Sequence, residues 1–126
     1  MKSVISAVII FVLIVIMSIV SSQYVLNTAD EILYHVLKNE KSVEQGDWYN
    51  AERSVTNIKK IWGSRRKVAT FFLNHSVIDS IDASVERQYN SVILREKSAF
   101  WFEKNKFVLL IKSLKEQQKI SLENVF

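Results

Sequence analysis

The sequence predicts an all-α protein, in which an N-terminal transmembrane helix continues into an antiparallel helical bundle of about four helices. Three observations carry that reading. The 126 residues contain no proline and only two glycines, Gly46 and Gly63, so little interrupts helix formation. Apolar residues recur at the helical period through most of the chain. Residues 4–20, VISAVIIFVLIVIMSIV, are polar only at Ser6 and Ser18, which leaves no solvent face for a surface helix. Residues 1–22 are then the anchor. Residues 23–126 form one extracytoplasmic domain, enough chain for a single modest core.

The apolar run and its small flanking residues make about twenty residues of helix, roughly 30 Å, the thickness of a bilayer core. Lys2 precedes the run and no further Lys or Arg occurs before Lys38. The positive-inside bias therefore predicts a single-pass cell-membrane protein with a cytoplasmic N-terminus. Val20-Ser21-Ser22 also fits a signal-peptide cleavage site, which would release a secreted helical effector. A signal peptide's apolar core is about 7–15 residues. This run is longer and passes unbroken into helix-compatible sequence, which favours an uncleaved anchor.

Beyond the run, Val25, Ala29, Ile32, Leu33, Val36, Leu37 and Val43 keep the helical period to about residue 45. Gly46 is placed to cap that helix and Asp47 to start the next. The second helix carries Trp48, Ala51, Val55, Ile58, Trp62, Ala69 and Leu73 on one face, with Gly63 as a candidate kink. A third covers residues 76–93, with Val77, Ile78, Ile81, Val85, Tyr89 and Val92 as its stripe. After a turn at residues 94–98 the fourth runs to about residue 115. Short connections between antiparallel helices are the pattern of a bundle.

The fourth helix has more apolar surface than one stripe requires. Phe100, Phe107, Ile111 and Leu114 face inward, Phe102 and Leu109 point almost the other way, and Trp101 and Val108 lie on the flank. Either the helix is deeply buried or it offers a patch to a partner. Trp101, Phe102, Val108 and Leu109, with Phe126, are the candidate partner-binding residues. The partner is a multi-span membrane protein or a second copy of the chain. The ending KISLENVF returns Ile120, Leu122, Val125 and Phe126 to a polar context. Chain ends are usually polar unless tied down. These four are expected to fold back as plugs at the base of the bundle, beside Phe71, Phe72 or the start of the stalk, or to meet the partner.

Helix lengths bring a second surface into view. A stalk of about 24 residues rises roughly 35 Å from the membrane and the second helix descends as far. Arg65, Arg66, Lys67, Phe71 and Phe72 should then lie at the membrane surface, in reach of lipid. Each cation there contributes up to about 1 kcal/mol against an anionic leaflet. The alternative is a solvated face whose cations match the helix dipole.

The chain lacks cysteine, which excludes thiol catalysis, disulfides and cysteine-bound zinc. A net charge of +4 without an aromatic-interleaved basic stripe gives no nucleic-acid footprint. No glycine loop cradles phosphate and no serine sits at a nucleophile elbow. No small-molecule substrate or cofactor is indicated, and the expectation is a non-catalytic protein. One constellation keeps a sensing alternative open: His75, Asp79, Asp82 and Glu86 share a helix face, as metal ligands or a pH sensor. Acidic residues early in a helix are the plainer account.

Several of these pieces occur together in a known family. They are Gly46-Asp47-Trp48 with Ala51, a Trp-containing basic helix, Phe72-Leu73 with His75, Ile81-Asp82 with Ser84, and the ending Ser-Leu-Glu-Asn-Val-Phe. In this order the chain resembles a family of small single-span membrane proteins of uncharacterised function from spore-forming Gram-positive bacteria. The resemblance covers essentially the whole chain, though Phe100-Trp101-Phe102 is more aromatic than the family pattern. It implies association with a multi-span membrane protein encoded nearby and transfers no catalytic residue. The leading expectation is a membrane-anchored accessory or scaffold subunit whose helical domain binds a membrane-protein partner.

Overall fold

The computed structural model describes residues 1–125, the side chain of Val125 excepted. Its elements are α1 (Lys2–Glu44), α2 (Trp48–Ala69), α3 (His75–Ile93) and α4 (Lys97–Val125). Each packs on the next and α4 returns to α1, which closes an up-down-up-down four-helix bundle. α1 is 43 residues long, about 65 Å of continuous helix. Among the described residues it is the one helix long and apolar enough to cross a membrane. Its apolar run stands free of the other helices, and full burial begins at Ser22 and Val25.

Local chemistry explains the corners. Gly46 adopts φ +73, its N–H donating to the Val43 carbonyl while Asp47 N–H donates to Ser42. That pair of bonds is the Schellman closure, and glycine takes the left-handed position without a Cβ penalty. The Asp47 carboxylate then accepts from the Asn50 backbone N–H at 3.2 Å and caps α2. Asn74 does the same for α3 through Ser76 N–H. The third corner repeats the Schellman bonds with Arg95 at φ 54 in the glycine position, a conformation that costs a non-glycine residue about 1–2 kcal/mol.

The core is in two parts. A cluster nearer the apolar run gathers Val25, Ile32, Ile58, Trp62, Ile81, Phe107 and their neighbours. A smaller one at the far end holds Val43, Ala51, Val55, Val92 and Phe100. Between them the stripes of α1, α3 and α4 are interrupted at one level: Asn39 lies between Val36 and Val43, Gln88 between Val85 and Val92, Lys104 between Phe100 and Phe107. Asn39 and Gln88 are fully buried, and no side-chain N or O of either has a hydrogen-bond partner.

Two expectations fail here. α2 stops at Ala69, so Leu73 joins the core from the corner rather than from the helix; Gly63 lies within the helix with open space around it. The fold-back of the C-terminus fails for Ile120 and Leu122 as well, although their level beside the start of the stalk is one of the expected placements. α4 continues to Val125, with Ile120 51% exposed and Leu122 half-buried. No Pro or Gly stops the helix, and α1 extends alongside it as a packing partner. Lys104–Glu40 and Lys115–Asp30 fix the antiparallel register, which carries residues 120–125 down beside residues 20–25. The remainder of the plug, the Val125 side chain and Phe126, lies outside the described residues.

Candidate functional site

The face holding His75, Asp79, Asp82 and Glu86 does not assemble as a metal site among the described residues, and two of its three acids, Asp82 and Glu86, are engaged by cations of α2. Asp82 accepts from Trp62 Nε1–H at 2.6 Å and from Arg66 Nε at 3.0 Å to both oxygens. Glu86 pairs with Lys59 at 3.3 Å, and Lys59 Nζ also lies 4.2 Å from the Tyr89 ring centroid. Among the described residues no group of three or more His, Asp or Glu is placed to hold a metal ion. The Arg66 hydrogen bond, resisted by burial and helped by Trp62, holds the Asp82 carboxyl below its usual range. Sequence reasoning missed this cluster because it read Asp82 as part of a solvated face, whereas Asp82, four residues after Ile78 and three before Val85, lies on the flank of the α3 stripe toward α2. The i, i+4 pair Trp62 and Arg66 was its available trace.

The surface cations divide by the same ion pairs. Arg65 turns inward to Glu31 at 3.1 Å and Thr28 at 3.5 Å, with Tyr24 under its guanidinium. Arg66 is held by Asp82. Of the residues expected at a membrane surface, Lys67, Phe71 and Phe72 remain exposed and unpaired among the described residues. Phe71 is 79% and Phe72 41% accessible.

The outer face of α4 divides too. Trp101 is half-buried, edge-on to Phe100 with ring centroids 5.8 Å apart, and Lys104 Nζ sits 4.6 Å from its ring. Val108 packs on the larger core cluster. Both are therefore flank residues of the core rather than free surface. Phe102 and Leu109 are 63% and 70% exposed, and with Ile120 they form one outward line down the helix. Phe126, the fifth candidate, lies outside the described residues. A solvent-open groove of about 330 Å³ between α1 and α2 is lined by His35, Lys38, Lys41 and Arg53 among others. Its chemistry is that of a polar, cationic furrow.

With this geometry in place, comparison with known proteins supplies a family. Residues 19–125 match a domain of unknown function, DUF4363. The chain belongs to that family. The DUF4363 match takes in all of the bundle and leaves out most of the apolar run. No curated protein and no solved structure matches the chain.

Proposed function

We propose that the protein is a membrane-anchored, non-catalytic accessory subunit whose bundle docks a membrane-protein partner along the outward face of α4. The observation that carries this is the surplus on one helix. Phe100, Phe107, Ile111 and Leu114 complete the core, yet Phe102, Leu109 and Ile120 stand in line on the opposite side. Three large apolar side chains exposed on the side the core does not use support reading that face as the interaction surface. It runs parallel to α1 and ends level with the outer end of the apolar run, so a partner rising from the same bilayer meets its full length. The N-terminus lies in the cytoplasm and the bundle outside the cell membrane, on the strength of Lys2 and the cation-free stretch to Lys38.

Site-specific photocrosslinking in native membranes tests the reading. A crosslinker at Leu109 or Phe102 should give a discrete adduct to another membrane protein, whereas one at Lys60 on α2 should give none. An adduct with the mass of a second copy would make the partner the chain itself. Equal labelling from both faces, or none, refutes the surface. Intact mass of the membrane-extracted chain checks the anchor, since a mature N-terminus near Gln23 would show a cleaved leader.

A further inference from the structure

We propose that the α2–α3 corner is a membrane foot, in which Phe71 and Phe72 enter the headgroup layer of the bilayer that holds α1. The proposal rests on the anchored reading and adds a second lipid contact to it. The height of the corner is set by contacts. Arg65 reaches Thr28 and Glu31 and lies over Tyr24, and α2 ends at Ala69, four residues or about 6 Å further down, where the turn that carries Phe71 and Phe72 begins. A small apolar crevice at the same end is lined by Tyr24, Val25, Ala69, Leu73 and Leu114 together, which places the corner directly beside Tyr24. Tyr24 is four residues past the apolar run, about 6 Å, and the headgroup layer on each side of a bilayer core has about that thickness.

This distance cannot be adjusted by a hinge. α1 is one uninterrupted helix from the run into the bundle, with no Gly or Pro before Gly46, so inserting the run brings the corner to the lipid. The chemistry at the corner fits that position. Phe71 and Phe72 expose their rings although the core lies one turn away, and Lys67 beside them is exposed. Phe on the apolar side and lysine on the polar side are the pairing that interfacial segments present to a bilayer. Arg65 and Arg66, bound to Glu31 and Asp82, fix the corner's position and leave the lipid contact to their neighbours.

The full chain reconstituted in phosphatidylcholine vesicles allows a direct test. Trp48 lies 21 residues up α2 from Ala69 at the corner, about 32 Å away, Trp101 is in the same distal cluster, and Trp62 is buried. A Phe71→Trp variant should add blue-shifted emission, and lipid brominated near its headgroup end should quench the variant more than the parent, whose Trp62 is buried in the crevice beside Tyr24. Phe72→Trp repeats the measurement should the first variant lose helicity. Leu13→Trp, within the run, monitors the anchor with lipid brominated at mid-chain. Quenching at position 13 without quenching at 71 or 72 overturns the foot and leaves the anchor standing. Quenching at none of the three overturns both.

Discussion

The two halves of the bundle use the same four helices but differ in what holds them. The half next to the apolar run buries thirteen apolar residues in one cluster and is tied by Trp62–Asp82–Arg66 and Arg65–Glu31 across neighbouring helices. The distal half buries five beneath a partly exposed roof of Trp48, Tyr89 and Trp101. It also contains the strained Arg95 corner. Between them, the unpaired amides of Asn39 and Gln88 interrupt the dispersion contacts that would couple the halves. Local opening follows buried apolar contact, so the distal half should open first.

The sharpest way to break that contrast is one deletion made in each half. Phe107→Ala should cost about 3–5 kcal/mol in urea unfolding, the usual range for a buried Phe. Phe100→Ala, equally buried, should cost less, because its surroundings relax more easily. An equal or larger cost at Phe100 would mean that the halves are not distinct. Amide exchange offers a companion reading: Ala51 and Val92 should exchange through lower-energy openings than Ile58 and Ile81.

Joining the halves is the next largest effect. Replacing Asn39 and Gln88 together by Leu removes buried polar atoms that lack partners, each costing about 1–3 kcal/mol when left unsatisfied. The double variant should therefore raise Tm and bring the exchange protection of the two halves together. A lower Tm would show that the amides bond to one another or to interior water.

Two smaller effects act on one half each. Arg95→Gly relieves the left-handed strain and should stabilise the distal corner by about 0.5–1 kcal/mol, read as a shift of the urea midpoint. In the other half, the Asp82 carboxyl is depressed in the folded state, chiefly by Arg66. Its stabilising contribution is therefore complete above the unfolded carboxylate value of about 3.9 and is lost as pH falls through the folded value. Acid loosening should begin between α2 and α3, and Asp82→Asn should flatten that part of the pH profile.

How far each feature was legible depends on whether one helix or two had to be known. Gly46 and Asp47 announced the first corner because a cap is made within five residues. The inward and outward faces of α4 followed from spacing alone, so Phe100, Phe107, Phe102 and Leu109 fell where expected. Trp101 and Val108 also fell on the flank, but spacing does not tell whether a flank position is buried or free, which depends on how close the neighbouring helix approaches. The polar run before Ile120 looked like a helix end, yet polarity does not stop a helix that has α1 beside it. Asp82 read as a solvent residue because its partners Trp62 and Arg66 belong to another helix.

By itself, then, the sequence determined the all-helical state, the apolar run and the capped corners, all products of interactions within a turn or two of helix. Register between helices was decided only in the tertiary structure. It paired Asp82 with Arg66, placed Asn39, Gln88 and Lys104 on one level, and set Ala69 and Leu73 of the α2–α3 corner beside Tyr24. Those juxtapositions join residues tens of positions apart, and they depend on side-chain packing between helices that no single helical period records.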